Sequence, residues 1–151
     1  ARSVEQARAF CRERFCDELP APARDAVAGG RLVCVGGTVT TLVAIGAALD
    51  PYDPSFVHLH DLSLDEVDEL AERLAALPLE ERREVTGLQP KRAGVIVAGA
   101  LCVSELMRAC GADRLTVSES YLLYGLSIAA AAAAEGQAGP VAWEPRLSAL
   151  R

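Results

Sequence analysis

The sequence predicts a helix-rich α/β fold, and three observations support this prediction. Apolar residues recur at steps of three and four over most of the chain, which is the spacing of a helix with one buried face. Two short segments, residues 31–35 and 114–118, are instead largely apolar and β-branched, in the manner of buried strands. Each strand leads into another helical pattern, so strands and helices alternate along the chain.

The first third of the chain is predicted as helix, strand, helix. Residues 3–18 place apolar side chains at helical spacing, and the prolines that follow end this helix. The strand at residues 31–35 ends at two glycines. From Thr38 the apolar pattern lengthens, which predicts a helix that begins at Thr38 and ends before Pro51.

The middle of the chain is predicted as two helices between loops. Residues 50–55 form a loop by their prolines and aspartates, and residues 56–62 are expected to be extended. Ser63 and Glu66 have the spacing of a capping box, in which each side chain accepts from the backbone N–H of the other residue. This predicts a helix over residues 64–76. A short charged helix is expected after Pro78.

The last part of the chain is again predicted as helix, strand, helix. Apolar residues at helical spacing run from Pro90 to Gly111, which is a good helix stop. The strand at residues 114–118 leads into an apolar helix, residues 120–134, that is expected to be buried or covered by a partner. Residues 136–151 are expected to be a peripheral tail on a domain of residues 1–135.

Two strands are too few for this number of helices. Typical sheets have about four to six strands, and a pair cannot cover so many apolar helix faces. The chain is therefore expected to be part of something larger. It is either a fragment of a longer protein or a piece that completes its sheet with a partner.

The composition excludes several classes of protein. A chain of 151 residues with 51% hydrophobic content can form one domain with a core. The net charge of −6, without a clustered basic face, argues against DNA or RNA as a partner. Glycines and threonines interrupt the uncharged run at residues 32–49, and the run at 121–134 is too short to span a membrane. No membrane association is expected.

The five cysteines favour buried thiols in the cytoplasm. They form no C-x-x-C pair and have no regular spacing, which argues against a zinc site or a disulfide framework. Their neighbours are mostly apolar, as is typical of small buried side chains. The cysteines are Cys11, Cys16, Cys34, Cys102 and Cys110.

The glycine pair Gly36-Gly37 separates the first predicted strand from the helix that follows. Backbone N–H groups at such a turn, together with the positive end of the helix, can hold a phosphate. Neither the dinucleotide-binding nor the P-loop glycine pattern is matched. The alternative is a tight turn in which Thr38 caps the helix, worth about 1 kcal/mol. The residues alone leave both interpretations open.

Two further pairs of polar residues draw attention. His58 and His60 would point to one side of an extended segment, but two histidines do not make a metal site, so loop anchoring by hydrogen bonds is expected. Lys91 and Arg92 would stand in the first turn of a helix, where the dipole disfavours cations, so an anion or solvent must compensate. No arrangement of a nucleophile and a base can be argued from spacing.

The turn Ser118-Glu119 repeats the strand-to-helix geometry of the glycine pair. In a parallel sheet both turns would open on the same edge, where ligands of such folds bind.

Four separated segments together resemble one known family. Their sequences are GGTVTTL (residues 36–42), YDPSFVHLHDLSLDEV (52–67), RLAALPLEERREVTGLQPKRAGVIVAGA (73–100) and DRLTVSES (113–120). In order and spacing they resemble the exopolyphosphatase/guanosine pentaphosphate phosphohydrolase family, Ppx/GppA.

The resemblance implies a fold and an activity. Members of this family belong to the actin-like ATPase superfamily, with two ribonuclease H-like domains that enclose a cleft. Their reaction is the hydrolysis of terminal phosphates of polyphosphate or guanosine pentaphosphate (pppGpp), usually with magnesium. The resemblance places residues 1–135 in the second half of that fold, as a partial domain with few strands and inserted helices.

The family's aspartate-containing loop, its glutamate and its D-I-G-G-G-S loop have no counterpart here. The catalytic base would therefore lie outside this chain, in the missing N-terminal domain, and this segment alone is expected to be inactive and to bind no magnesium. An exposed sheet edge and the apolar helix leave a homodimer open.

The resemblance also implies a phosphate-binding set within this chain. Departures from the family pattern at Gly94, Leu123 and Tyr124 motivate the alternative of a non-catalytic phosphate- or nucleotide-binding module, or a structural half-domain. The implied phosphate-binding residues are Gly36, Gly37, Thr38, Arg92, Ser118 and Glu119.

Overall fold

The structure, a computed structural model, describes residues 2–28 and 31–134 as eight helices and three strands. The helices are α1 (Arg2–Glu18), α2 (Ala21–Ala28), α3 (Gly37–Gly46), α4 (Pro54–Val57), α5 (Leu64–Ala76), α6 (Leu79–Arg83), α7 (Ile96–Cys110) and α8 (Leu122–Ala134). The strands are β1 (Leu32–Val35), β2 (Asp61–Ser63) and β3 (Arg114–Ser118). The helix-rich α/β fold class is confirmed.

The three strands form one mixed sheet in the order β1-β3-β2. β1 pairs in parallel with β3, and Val35 lies opposite Ser118. β2 is antiparallel to β3, and Leu62 lies opposite Leu115. The central strand β3 is buried from Leu115 to Ser118. Its two ends therefore fix where the flanking turns can lie.

The core lies between the sheet and the helices α3, α5 and α7. Seven consecutive residues of α3 are buried, which explains its continuous apolar sequence. Each large side chain that is fully buried contributes about 1.5–3 kcal/mol of burial free energy. The largest of these are Leu42, Leu74, Leu101, Met107 and Leu115.

Two predicted helix boundaries follow local capping signals and are confirmed. α5 begins where the capping box predicts, with the N–H of Ser63 donating to the Glu66 carboxylate at 2.7 Å and the N–H of Glu66 donating to the Ser63 hydroxyl at 3.2 Å. α7 ends at Gly111, whose φ of 66° is the left-handed conformation that favours glycine.

One other boundary, the start of the helix before Gly111, was predicted wrongly. The predicted helix from Pro90 is a 3₁₀ turn, Pro90–Arg92, and α7 begins only at Ile96. Lys91 and Arg92 therefore do not stand in the first turn of α7. α3 ends at Gly46, in agreement with the prediction that this helix ends before Pro51.

Sequence patterns missed α2 and β2. α2 carries Pro22 in its first turn, where a helix has no N–H partner to lose. The extended segment predicted at residues 56–62 is wrong over most of its length, because it includes the end of α4 and a turn at Leu59 with φ of 62°. Only the three residues of β2 pair with β3.

A cluster of charged side chains joins α1 to α5 and α7. Glu105 on α7 has only 1% of its side chain exposed, and it accepts from Arg8 at 3.1 Å and from Arg12 at 3.2 Å. Arg8 also pairs with Asp68 on α5 at 3.0 Å, and Arg108 reaches the same carboxylate. Buried charges need such partners, so this cluster holds α1 in place.

The cysteines only partly match the expectation of buried thiols. Cys110 is buried, Cys11 and Cys34 are half-buried, and Cys16 and Cys102 are exposed. Burial raises the pKa of the Cys34 thiol. All five are free thiols.

The chain divides into two compact units, residues 1–119 and 120–151. In the second unit α8 is described over Leu122–Ala134, and the side chains of Leu123, Tyr124 and Leu126 are exposed. That a partner covers α8 stays a prediction. The predicted tail, residues 136–151, lies outside the described residues. Over the part that is described, no helix is long and apolar enough to cross a membrane.

Candidate phosphate site

The candidate site lies at the carboxyl ends of β1 and β3. Because these strands are parallel and Val35 lies opposite Ser118, the turns that begin at Gly36 and Glu119 leave the sheet at the same edge. The sequence-based expectation of a shared edge is confirmed. Ligands of open α/β sheets bind at this kind of edge.

Gly36 supplies the turn from β1 into α3. Its φ of 105° and ψ of 166° lie where residues with a side chain are strained, so glycine is needed for its backbone conformation. A Cβ at this position would meet nothing within 4 Å. The requirement at Gly36 is therefore one of backbone conformation rather than of space.

The alternative interpretation of the turn, in which Thr38 caps the helix, is wrong. Gly36 occupies the N-cap position of α3, so no side chain accepts a hydrogen bond there. The helix begins at Gly37. Thr38 instead packs against α7, since a Cβ on Gly99 would lie 2.7 Å from its Cγ2 and 3.0 Å from its Oγ1. The absent side chain of Gly99 lets α3 and α7 approach each other.

The start of α3 presents backbone N–H groups. The first N–H groups of a helix have no carbonyl four residues earlier, and they carry the positive end of the helix dipole. The N–H of Thr40 donates to the carbonyl of the cap residue Gly36 at 3.3 Å. The N–H groups of Gly37 and Thr38 lie before it, at the sheet edge.

Arg92 reaches this helix start from the 3₁₀ turn before α7. Its Nη1 donates to the Gly37 carbonyl at 2.6 Å and to the Thr41 hydroxyl oxygen at 2.8 Å. The Thr41 hydroxyl itself donates to the same Gly37 carbonyl at 2.5 Å. Arg92 is thus fixed by two neutral acceptors on α3.

No carboxylate balances Arg92 among the residues that the structure describes. None of the ion pairs found within residues 2–28 and 31–134 includes its guanidinium. Of the two alternatives, an anion or solvent, the described residues supply no anion that compensates this cation. A cation placed at the positive end of a helix leaves a local excess of positive charge.

The Ser118-Glu119 turn forms the opposite side of the edge. Ser118 is buried, and the Glu119 carboxylate accepts from the Tyr52 hydroxyl. The N–H of Glu119 donates to Nδ1 of His58 at 3.2 Å. The expected anchoring role of His58 is confirmed. His60 instead stacks on Phe56, with ring centroids 5.1 Å apart.

Two contributors to this edge escaped the sequence analysis. Thr41 could have been found from the sequence, because it lies four residues after Gly37 and therefore on the same helix face. No local pattern identifies Tyr52, since its contact with Glu119 joins residues 67 positions apart.

The described residues do not build a magnesium site. Nowhere in residues 2–28 and 31–134 do three or more His, Cys, Asp or Glu side chains gather with the spacing of metal ligands. Glu119 is the single acidic residue of the candidate set, and magnesium needs several oxygen ligands.

Fold and site edge together define a helix-rich α/β domain with a parallel strand pair and a glycine turn at its carboxyl edge. The sequence profile of the Ppx/GppA phosphatase family matches residues 1–130. The chain belongs to this family.

Among curated relatives, the chain is 35% identical over 103 residues to exopolyphosphatase 2 of Mycobacterium tuberculosis, a match that covers 66% of this chain and 32% of that protein. It is 34% identical over 95 residues to a bifunctional 3-dehydroquinate synthase/phosphatase of Fusobacterium nucleatum, covering 62% of this chain and 14% of that protein. The chain thus spans about a third of the first relative and less of the second.

Solved structures show the same partial match. A crystal structure of the Aquifex aeolicus Ppx/GppA phosphatase superposes with a TM-score of 0.70 at 25% identity, covering 83% of this chain and 40% of that one. An exopolyphosphatase-like protein superposes with a TM-score of 0.71 at 27% identity, covering 83% of this chain and 41% of that one.

Proposed function

We propose that this chain forms one wall of the phosphate-binding cleft of a phosphohydrolase. The observation that carries the proposal is the start of α3 at the sheet edge, where Arg92 adds a cation that no described carboxylate balances. The substrate is the terminal phosphate of inorganic polyphosphate or of pppGpp. Both are chains of anionic phosphates that end in a group a small positive cleft can hold.

The chemistry at this wall is electrostatic. When water attacks a terminal phosphorus, negative charge spreads over the phosphoryl oxygens in the transition state. Fixed N–H donors at Gly37 and Thr38 and the positive charge of Arg92 would stabilise that charge without reorganising. Ser118 and Glu119 close the opposite side of the edge.

The remaining catalytic parts come from elsewhere in the longer protein. This chain supplies six phosphate-facing residues and no catalytic base in the proposal. Magnesium, which the family resemblance implies, would need ligands from outside this segment. Names of the relatives, exopolyphosphatase and phosphatase, support the same reaction class.

A chimera tests the activity. Residues 1–130 of this chain replace the matching segment of the M. tuberculosis exopolyphosphatase 2, and released orthophosphate is measured with polyphosphate and with pppGpp. Release from one substrate only would identify the preferred one. No release from either, with a folded chimera that still binds tripolyphosphate, would contradict the enzymatic proposal.

Gly37→Val in this chimera should abolish most of the turnover, because its side chain would displace Arg92 from the helix start. Gly94→Val is the matched control. A Cβ at Gly94 meets nothing within 4 Å, so the same change there leaves the wall intact. Equal turnover for both variants would contradict the site assignment.

A second candidate function is a non-catalytic phosphate- or nucleotide-binding module. It is favoured by Gly94, which stands where the family usually has aspartate although the structure leaves open space for a side chain. Packing therefore does not explain the loss of that carboxylate. Under this alternative the chimera binds tripolyphosphate without release of phosphate, and Gly94→Asp restores release.

A further inference from the structure

The carbonyl oxygen of Gly37 receives two side-chain donors at once. Arg92 Nη1 lies 2.6 Å from it and the Thr41 hydroxyl lies 2.5 Å from it. Arg92 also bonds the Thr41 hydroxyl oxygen at 2.8 Å, so the three groups form a closed triangle. We name this triangle the Gly37 clamp.

The clamp controls an atom that it does not touch. The peptide group is planar and trans, so the carbonyl of Gly37 and the N–H of Thr38 lie in one plane and point in opposite directions. Two side-chain donors on this carbonyl restrict its rotation about the chain axis, in addition to the restraint from α3 itself. The N–H of Thr38, one of the free donors at the start of α3, is then held with it.

We propose that Arg92 is a positioning residue of the phosphate site, which acts through the Gly37 carbonyl to aim the Thr38 N–H at the substrate. This inference rests on the proposed function for its ligand, and on the clamp alone for its geometry. It separates two roles of the guanidinium: its charge at the site, and its hold on the first peptide group of α3.

The absent side chain of Gly37 is part of the same device. A Cβ there would lie 2.8 Å from Cζ of Arg92, in the volume that the guanidinium occupies. Gly37 is therefore needed for space, whereas Gly36 is needed for its φ of 105°. The two adjacent glycines of the turn have different tasks.

The planar fork of arginine suits this role better than an ammonium group does. Lysine would keep the charge, but its flexible stem and compact head do not fix two acceptors in one plane. Thr41→Val removes the two hydrogen bonds of the Thr41 hydroxyl, leaves the bond from Arg92 to the Gly37 carbonyl, and changes no charge. These two substitutions separate positioning from charge.

The test uses the ¹⁵N-labelled 151-residue chain and inorganic tripolyphosphate as the probe. Amide spectra are recorded for the parent, Arg92→Lys, Arg92→Ala and Thr41→Val, each before and during titration. Lys91→Ala serves as the matched control, because it removes a neighbouring exposed cation that makes no contact with the clamp. Thermal unfolding of each variant confirms that it is folded.

We expect the Thr38 amide resonance to move in all three clamp variants before any ligand is added, and to stay in place in Lys91→Ala. Tripolyphosphate affinity should fall about tenfold in Arg92→Lys and Arg92→Ala, and by a smaller factor in Thr41→Val.

An unmoved Thr38 amide in the folded clamp variants overturns the positioning role, whatever the affinities are. Parent-like affinity in both Arg92→Lys and Thr41→Val, with a loss only in Arg92→Ala, also overturns it, because charge alone would then account for binding. If the parent chain does not bind tripolyphosphate, this wall alone does not hold the ligand, and the affinities of the same variants are then compared in the chimera, where absence of binding contradicts the proposed function. In that case the amide shifts still decide whether the clamp sets the orientation of the Thr38 N–H.

Discussion

The guanidinium of Arg92 occupies the volume that a side chain on Gly37 would need. Its Cζ lies 2.8 Å from the position of a Cβ on that glycine, and its Nη1 bonds the glycine carbonyl at 2.6 Å. The two residues are 55 positions apart in sequence. They therefore form one structural unit, in which the cation takes the place of the missing side chain.

This relationship predicts strong coupling between substitutions at the two positions. Gly37→Ala in the parent should destabilise the fold by about 1–3 kcal/mol, because the methyl group displaces the guanidinium. With Arg92→Ala the space is vacant, and Gly37→Ala should be neutral or stabilising by up to about 1 kcal/mol, since alanine favours a helix.

A double-mutant cycle of urea unfolding measures the coupling. Additivity of the two single changes to within about 0.5 kcal/mol would contradict the relationship. Gly94→Ala is the control for the loss of a glycine at a position with open space.

Gly87 and Gly111 predict a difference between two glycines of similar conformation. Their φ angles are 84° and 66°, so alanine is strained at both by about 1–2 kcal/mol. A Cβ on Gly87 would also collide with the backbone of Ala44, whereas one on Gly111 meets nothing within 4 Å. Backbone cannot move aside as a side chain can.

Gly87→Ala should therefore cost about 3 kcal/mol or more, and Gly111→Ala only its strain. Midpoints of thermal unfolding for the two variants provide the comparison. Equal losses would show that the collision at Ala44 relaxes at little cost.

The charged cluster predicts unequal effects of two arginines on α1. Arg8 has 12% of its side chain exposed and pairs with Glu105, which has 1% exposed. Arg8→Ala should cost about 3 kcal/mol, because it leaves a buried carboxylate short of a partner. Arg14 pairs with Glu18 at the surface, with 59% and 66% of their side chains exposed.

Arg14→Ala should leave stability almost unchanged, since exposed pairs contribute little. Urea unfolding at low and high salt compares the two variants on the same helix. A loss for Arg14→Ala as large as that for Arg8→Ala would contradict the buried role of the cluster.

Asp68 predicts that stability falls in acid. Burial pushes its pKa upward, but hydrogen bonds from Arg108, Ser104 and Arg8 outweigh this, so the pKa of Asp68 lies below its ordinary value of 3.8. In the unfolded chain the carboxylate binds its proton first. The stabilisation is therefore present above the ordinary pKa and is lost as the pH falls through the lower pKa of the folded state.

Unfolding free energies at pH 7 and at pH 3 measure this loss. Asp68→Asn should reduce the difference between the two values, and the exposed neighbour change Glu69→Gln should not. An unaltered difference in Asp68→Asn would contradict the assignment.

Local signals allowed much of the fold to be predicted. The capping box of Ser63 and Glu66 fixed the start of α5, and Gly111 fixed the end of α7, because both motifs satisfy backbone groups within a few residues. The strand β3 was predicted with its correct bounds. β2 was not, because three residues show no alternation and pair only where β3 offers an edge.

The candidate site shows the same division between local and distant causes. The glycine turn and the shared edge of two strand ends follow from short stretches of sequence. The hold of Arg92 on Gly37 requires contact between residues far apart in the chain, and the Tyr52 bond to Glu119 does too. The early start of α3 depends on the φ of Gly36, which no periodicity reveals.

The position of β1 makes protein concentration a variable in every solution experiment on this chain. Within the described residues β1 is hydrogen-bonded only to β3, and Val33 and Val35 on it are exposed. A strand with one open edge and apolar side chains is a template for pairing with another molecule. Spectra and unfolding curves should therefore be recorded over a dilution series, and Val35→Lys offers a variant whose charge opposes such pairing.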